Sequence, residues 1–336
     1  MKSHNIKFMN FWIGFNPHCN IFLDTFRDIC NQRKELQKSD ILIYSLGSAF
    51  GGQVDGNPNF AEYEHYKKIC YSPENLNRFG IDPHEILDKG HYLISMERID
   101  HPNYLRLPNI VRAGFYGYDP TSIDNFSNLP NKTKFCSWIA GNCKSEYRNN
   151  FVKKLSEYKK VDCPGRCMNN MTDEELSKTK HIGNVEFLSN YKFNVAFENS
   201  SVPGYCTEKI WWGFLSKTIS LYWGDPTVYQ DFNEGSFLSR HDFDSDGEFI
   251  DAIVKLDNDD DAYYEMLVKP KLRNHSLLDL NRIKEFFEKV LVIVPGLICG
   301  IARLAIYCTF RPVSFYSRNP LTGQRFLVQN VPKKYT

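Results

Sequence analysis

A segment near the middle of the chain, FENSSVPGYCTEKIWWGF at residues 197–214, carries polar side chains that could bind a sugar and a phosphate. It runs from a short apolar stretch through a turn with Pro and Gly into a helix-like stretch. Its polar residues are Glu198, Asn199, Tyr205, Glu208 and Lys209. Carboxylate and amide groups bond to hydroxyls, an ammonium attracts phosphate, and a tyrosine can pack on a sugar ring. A plain connector would need only turn residues, so this segment is a candidate ligand site.

The start of the predicted helix is the part of this segment best suited to an anion. Thr207 is a natural N-cap, and the helix that follows it offers backbone N–H groups and a partial positive charge. Lys209 in the first turn opposes the helix dipole, which favours an anionic partner over a purely stabilising role. The spacing is equally compatible with a capped surface helix whose Glu208 and Lys209 are solvated. Trp211 and Trp212 are predicted to pack in the core.

Two residues outside this segment could take part in the same chemistry. Arg148 begins a predicted helix directly after a strand, where a guanidinium could hold phosphate with two hydrogen bonds. An exposed helix arginine is the simpler interpretation of Arg148 by itself. Glu74 follows a short apolar strand in CYSPEN, and the carboxyl end of a parallel strand is where a general base would stand. Most glutamates in such places are only solvated.

The elements that must position these residues alternate between strands and helices. Predicted strands cover residues 6–15, 41–46, 67–71, 91–95, 135–140, 160–162, 193–197 and 218–223, and predicted helices cover 21–37, 147–158, 185–191 and 208–216. This alternation predicts parallel α/β sheets. A polar segment, Tyr118–Lys134, marks a domain boundary. The predicted domains are residues 1–125 and 126–287, with a tail at 288–336, and a ligand cleft is expected between the two α/β domains.

Composition excludes some classes of partner and of site. The formal net charge of +1 gives no reason to expect nucleic acid binding, which needs concentrated positive charge. The ten cysteines form no CxxC pair and no zinc-like cluster, so reduced thiols are expected. The first residues show no signal-peptide pattern, and a cytoplasmic location is therefore predicted.

An acidic run, HDFDSDGEF, invites a metal-binding interpretation. Ile253 stands at the twelfth position counted from Asp242, where a calcium-binding loop requires Glu, so an EF-hand is excluded. A helix-like stretch follows Asp246 at once, and acidic residues favoured by the helix dipole explain the run without a metal. No metal site is predicted.

Taken together, the motifs resemble the alpha-1,3-fucosyltransferase family, which transfers fucose from GDP-fucose. FENSSVPGYCTEKIWWGF resembles the donor-site signature of that family, an F-E-N-S element followed by Y-x-T-E-K, and SLYWGDPTVYQDFNEGSFL resembles its continuation. KFCSWIAGNCKSEYRNNFVKKLSEYKKVDCPGRCMNN resembles the opening of the donor domain. KKICYSPEN and YLRLPNIV resemble weaker landmarks of the acceptor domain. The resemblance covers roughly residues 41–287.

The resemblance implies two Rossmann-like domains facing across a cleft, the GT-B arrangement, with the acceptor domain first and the donor domain second. It implies an inverting transfer of L-fucose from GDP-fucose to a GlcNAc hydroxyl of a glycan, in alpha-1,3 or alpha-1,4 linkage, without an obligatory metal. A lipopolysaccharide acceptor would suit a bacterial source. Glu74 would be the general base, Arg148 and Lys209 would hold the diphosphate, and Asn199, Tyr205 and Glu208 would contact the ribose and the fucose.

Two other functions stay open beside this one. The same fold could use another GDP-sugar, or the chain could bind a nucleotide-sugar or a glycan without catalysis. The tail adds a separate question, because VLVIVPGLICGIARLAIYCTF at residues 290–310 has Arg303 as its single charged residue. Insertion into a membrane, peripheral contact with a membrane surface, and packing on the protein are all compatible with that pattern.

Overall fold

The computed structural model describes residues 5–11, 15–32, 40–46, 60–109, 119–179 and 183–291, together with the backbone of two short strands at 315–318 and 325–328. The helices are α1 (Ile21–Gln32), α2 (Pro83–Asp88), α3 (Glu146–Tyr158), α4 (Asp173–Thr179), α5 (Asn184–Leu188), α6 (Glu208–Leu215), α7 (Asp246–Asp257), α8 (Asp260–Val268) and α9 (Asn281–Leu291). The strands are β1 (Asn5–Met9), β2 (Asp40–Tyr44), β3 (Lys67–Tyr71), β4 (Tyr92–Ser95), β5 (Tyr104–Arg106), β6 (Lys134–Ser137), β7 (Val161–Asp162), β8 (Tyr191–Phe197), β9 (Ile219–Trp223), β10 (Leu238–Ser239), β11 (Phe315–Arg318) and β12 (Arg325–Val328).

The strands form two five-stranded sheets and one hairpin-like pair. The first sheet has the order β1-β2-β3-β4-β5 and the second has the order β10-β9-β8-β6-β7, and every pairing in both sheets is parallel. Strands β11 and β12 pair antiparallel. The prediction of an α/β fold with two parallel sheets is confirmed.

The chain divides into two compact units that differ from the predicted domain ranges. The first unit comprises Met1–Val111, Val202–Tyr205 and His275–Ala302, and the second comprises Arg112–Ser201, Cys206–Asn274 and Arg303–Thr336. Residues 119–125, predicted to lie in the first domain, belong to the second unit. Helix α9, placed mostly in the second domain by the prediction, belongs to the first unit.

The core of the first unit explains why α9 belongs there. Its apolar residues recur at the spacing of one helix face, at Ile283, Phe286, Phe287 and Val290. They join a buried cluster with residues of α1, β2, β3 and β4. Burial of such side chains contributes about 1.5–3 kcal/mol each, so the face fixes α9 against this sheet.

The first strand is shorter than predicted. It ends at Met9 instead of continuing to Phe15, because Asn10 has a φ of 57°, in the left-handed region that interrupts an extended strand. Strand β3, in contrast, has the predicted bounds.

The core of the second unit surrounds β8, which is buried along almost its whole length. Phe193, Val195 and Phe197 of β8 pack with Phe151 of α3 and Phe249 of α7. A strand covered on both faces reads as a continuous apolar run, which is why the sequence signals this strand clearly.

One pair of cysteines contradicts the expectation of reduced thiols. Cys143 and Cys167 form a disulfide, whereas Cys163, which lies closer to Cys167 in sequence, is free. The loops after β6 and β7 meet at this point, since the backbone N–H of Cys167 donates to the carbonyl of Ala140. This contact between separate loops has no local sequence signal, so the disulfide could not be predicted from the spacing of the cysteines.

The acidic run before α7 serves the start of that helix, as predicted, although the N-cap is Ser245 rather than an acidic residue. Asp246 lies in the first turn and pairs with Lys154 and Arg240. Within the described residues, no helix has the length and apolarity to cross a membrane. The apolar tail lies outside the described residues from position 292 onward, so its predicted contact with a membrane stays a prediction.

Lys271 is a buried cation that makes the stability of the second unit depend on pH. Its side chain is 2% exposed, and its Nζ donates to the carbonyls of Leu267, Met266 and Ser236. Burial lowers the pKa of Lys271 to about 7. An unfolded chain binds that proton up to its ordinary pKa near 10.5, so the unfolded state carries more protons above pH 7 and stability rises with pH.

We expect the Lys271→Met variant to lose this rise. Between pH 7 and pH 9, the unfolding free energy of the wild type should gain about 2 kcal/mol more than that of the variant. Urea unfolding at the two pH values measures the difference. Lys255→Met, at an exposed site of α7, is the matched control and should keep the wild-type slope. If the unfolding free energy depends on pH equally in the wild type and in Lys271→Met, Lys271 is not the source of the pH dependence.

Candidate active site

The polar segment singled out in the sequence begins where β8 ends, at the carboxyl edge of the second sheet. The backbone N–H of Glu198 donates to the carbonyl of Trp223, the last residue of the neighbouring β9, over 2.7 Å. The chain returns to the same edge at Thr207, and α6 begins at Glu208. Carboxyl ends of parallel strands next to helix starts are where α/β proteins bind ligands.

Glu198 is the centre of this edge. Its side chain is completely buried, and its carboxylate accepts hydrogen bonds from the backbone N–H of Thr207 at 2.7 Å, from the Thr207 hydroxyl, and from Lys209 Nζ at 2.7 Å. Burial raises the pKa of Glu198, and the Lys209 ammonium opposes that rise. A buried carboxylate with several donors on it holds the start of α6 in one conformation.

Thr207 occupies the predicted N-cap position but does not cap the helix with its side chain. Its hydroxyl instead lies between Glu198 and Lys209, at 2.7 Å and 2.6 Å. An N-cap oxygen must accept a backbone N–H, whereas the Thr207 oxygen accepts from Lys209 Nζ and its O–H donates to Glu198.

Lys209 and Glu208 lie at the surface side of this cluster. The side chain of Lys209 is 21% exposed and that of Glu208 is 38% exposed, and Lys209 Nζ lies 3.8 Å from Glu208 Oε1. Lys209 is therefore held by one buried carboxylate while its ammonium remains within reach of solvent. Such a cation at a helix start can attract an anion.

Arg148 reaches the same edge from α3. Its side chain is 2% exposed, so the interpretation as an exposed helix arginine is wrong. Its guanidinium donates to the carbonyl of Phe197 at 3.4 Å and to the carbonyl of Asn142 at 2.8 Å, and it lies over the ring of Trp138. Arg148 thus joins the loop after β6 to the end of β8, one residue before Glu198. Its predicted contact with a phosphate stays a prediction.

The predicted donor residues divide between the two units. Asn199 is half-buried and directly follows Glu198, so it lies with Arg148, Glu208 and Lys209 in the second unit. Tyr205 does not lie with them. It belongs to the first unit, and its hydroxyl donates to Glu74 Oε2 over 2.7 Å.

Glu74, the predicted general base, follows β3 at the carboxyl edge of the first sheet. The hydroxyl of Ser72 donates to the carbonyl of Glu74 at 2.6 Å, and Asn75 caps the short helical turn that follows. The Glu74 side chain is 17% exposed, and Arg78 Nη1 lies 3.7 Å from its Oε2. A carboxylate held on one oxygen and reachable from solvent has the properties of a base.

Sequence reasoning named Glu198 among the polar residues of the segment but gave it no specific role, and it did not foresee the bond between Tyr205 and Glu74. The one signal for Glu198 is that it directly follows a strand that is buried along almost its whole length, where a buried carboxylate needs partners. The packing assignment of the tryptophans is confirmed. Trp211 is 1% exposed, and the half-buried Trp212 packs against the cluster of Phe187 and Tyr191.

The chain is similar to known proteins, and residues 129–273 match one protein family. Residues 129–273 match the family described as Glycosyltransferase family 10 (fucosyltransferase) C-term. The chain is 31% identical over 304 residues to the alpha-(1,3)-fucosyltransferase FucT of Helicobacter pylori, a match that covers 76% of this chain and 60% of that protein. It is 29% identical over 148 residues to the GDP-fucose protein O-fucosyltransferase 3 of Homo sapiens, covering 41% of this chain and 31% of that protein. The chain therefore spans less than two thirds of the length of these relatives.

The fold has a counterpart among solved structures. A crystal structure of an alpha1,3-fucosyltransferase with GDP superposes with a TM-score of 0.58 at 24% identity, covering 86% of this chain and 91% of that chain. A second, with GDP-fucose, gives a TM-score of 0.56 at 23% identity, covering 87% and 92%. These structures share the fold of this chain. The resemblance drawn from the motifs is thus confirmed, since residues 129–273 match glycosyltransferase family 10 (fucosyltransferase) and the chain shares its fold with an alpha1,3-fucosyltransferase.

Proposed function

We propose that the protein is an inverting fucosyltransferase that moves L-fucose from GDP-fucose to a GlcNAc hydroxyl of a glycan. The observation that carries this proposal is the cluster of Glu198, Thr207 and Lys209, which lies inside the family match and fixes the start of α6 at the carboxyl edge of the sheet. An alpha-1,3 linkage is the first expectation, and linkage analysis decides between it and alpha-1,4.

The names of the relatives support the identity of the proposed donor, GDP-fucose, more than the identity of the proposed acceptor. The Homo sapiens relative is named for transfer from GDP-fucose to protein, and the Helicobacter pylori relative for an alpha-(1,3) linkage. Fucose is common to both names, and GDP-fucose is bound in one structure of the same fold. We therefore hold GDP-fucose as the donor and a GlcNAc-containing oligosaccharide as the first acceptor to test.

The donor would lie against the carboxyl edge of the second sheet. Arg148, Lys209 and the start of α6 would hold the diphosphate, since together they supply two cations and backbone N–H groups. Asn199 and Glu208 would contact the ribose and the fucose. Tyr205 shares that expectation from the resemblance, although its hydroxyl lies on Glu74.

The proposed reaction is a single displacement. The Glu74 carboxylate takes the proton of the acceptor hydroxyl while the hydroxyl oxygen forms a bond to C1 of fucose. The bond from C1 to the phosphate oxygen breaks, and GDP leaves with the electron pair. The cations at the donor site stabilise the negative charge that grows on GDP. No metal takes part in this scheme, and GDP-fucose is a substrate rather than a cofactor.

The test is a transfer assay with purified protein. GDP-fucose and N-acetyllactosamine are incubated with EDTA, GDP release is followed, and the product mass and linkage are determined. We expect one added fucose per acceptor. If no GlcNAc acceptor of a panel is fucosylated, the acceptor is wrong. If another GDP-sugar outcompetes GDP-fucose, the donor is wrong, and if GDP-fucose binds with neither transfer nor hydrolysis, the protein is not a catalyst.

A further inference from the structure

The segment Val202–Tyr205 belongs to the first unit, although the chain on both sides of it belongs to the second. Gly204 fixes its position. It has a φ of 84°, and a Cβ at this residue would lie 2.6 Å from the carbonyl oxygen of Met96 and 2.9 Å from the backbone nitrogen of Arg98. Only glycine fits both the conformation and the close approach of the two backbones. Gly204 therefore fixes the position of the segment Val202–Tyr205 within the first unit.

Tyr205 follows directly and is completely buried. A backbone hydrogen bond of 3.1 Å from its N–H to the carbonyl of Val202 closes a turn, and the turn directs the side chain to Glu74. The Tyr205 hydroxyl donates to Glu74 Oε2 over 2.7 Å, and Arg78 lies near the same oxygen. Within the part of the chain that the structure describes, no group forms a hydrogen bond to Glu74 Oε1.

We propose that Tyr205 is the positioning residue of the general base, a proposal that rests on the function assigned to Glu74 above. Its hydroxyl holds one carboxylate oxygen of Glu74 and leaves the other to receive the proton of the acceptor hydroxyl. The tyrosine of the donor-site signature then acts on the base rather than on the donor.

Tyr205→Phe tests this role, since it keeps the buried ring and removes only the hydroxyl. We expect kcat to fall roughly tenfold at the pH where wild-type activity is greatest, because a misoriented base loses part of its contribution. The affinity for GDP and the KM for GDP-fucose should stay within about twofold of wild type.

Two comparisons separate a positioning role from a structural one. Tyr44→Phe removes the hydroxyl of another buried tyrosine of the first unit, which bonds to His91 at 2.8 Å, and should change neither kcat nor the KM for GDP-fucose. In a Glu74→Gln background, Tyr205→Phe should add little further loss, since residues that act through one another are not additive. If Tyr205→Phe lowers kcat by a further factor of roughly ten in the Glu74→Gln background, the proposal is overturned.

A donor contact gives the opposite pattern. Weaker GDP binding and a higher KM for GDP-fucose, with kcat unchanged, would assign Tyr205 to the donor. Carbon NMR of glutamate labelled at its carboxyl group gives a readout that does not depend on transfer. The carboxyl carbon signal of Glu74 should change its chemical shift in Tyr205→Phe, because the tyrosine hydroxyl no longer donates to Oε2, and an unchanged signal overturns the proposal even if the wild type transfers no fucose. Absence of transfer by the wild type counts against the proposed function alone.

Discussion

Replacing Glu74 by Gln is expected to lower fucose transfer by roughly 10²–10⁴-fold, the range that general base catalysis contributes. The amide keeps the size of the carboxylate and can still accept a hydrogen bond from Tyr205, but it cannot take the proton of the acceptor hydroxyl. The affinity for GDP should be unchanged, because Glu74 lies in the first unit and the proposed diphosphate ligands lie in the second. Single-turnover transfer and calorimetric titration with GDP measure the two quantities separately.

The matched control for this prediction is Glu85→Gln, an exposed glutamate in the first turn of α2 in the same unit. It should retain wild-type activity within about twofold, as surface changes away from a site do. A Glu74→Gln enzyme with full activity would remove Glu74 from the role of base. Loss of GDP binding in Glu74→Gln would show that the variant disturbs more than proton transfer.

Much of the fold could be predicted because its signals are local. Parallel strands buried on both faces are continuous apolar runs, and β3 and β9 lie within one residue of their predicted bounds. The errors arise where a backbone detail overrides the pattern. Asn10 ends β1 in a left-handed conformation, and β8 begins at Tyr191, which was predicted to be the last residue of a helix. Tyr191 pairs in register with Lys134 of β6, and that pairing decides its conformation.

The candidate site shows the same division between local and long-range information. The motif residues Glu208 and Lys209 could be recognised, because a helix start and its first turn are local features. The bond between Tyr205 and Glu74 joins residues 131 positions apart, and no periodicity carries such a contact. The burial of Glu198 is likewise set by Gly224, where a Cβ would lie 2.4 Å from Glu198 Cγ.

The second large effect is expected at Glu198. Glu198→Gln removes the negative charge that holds Lys209 Nζ at 2.7 Å. Breaking a buried ion pair from one side typically costs about 3–5 kcal/mol, and the partial exposure of Lys209 should bring the loss to about 2–4 kcal/mol of unfolding free energy. GDP affinity should fall about tenfold or more, because Lys209 and the start of α6 lose their fixed position. Urea unfolding and calorimetric titration with GDP measure the two effects.

A second buried ion pair of the same unit provides the control. Asp257 has a side chain that is 3% exposed and pairs with Lys159 and Lys192, away from the carboxyl edge of the sheet. Asp257→Asn should lose stability to a similar extent and keep wild-type affinity for GDP. Equal loss of GDP affinity in Asp257→Asn and Glu198→Gln would show that general destabilisation, not the donor site, explains the result.

The double variant Glu198→Gln with Lys209→Met separates stability from binding. Removing both charges eliminates the uncompensated ammonium, so the unfolding free energy should recover most of what Glu198→Gln loses. GDP affinity should not recover, since the cation proposed to hold the diphosphate is now absent. Recovery of both quantities would mean that Lys209 serves only to neutralise Glu198. Recovery of stability alone is the result expected if the buried carboxylate exists to present Lys209 to the donor.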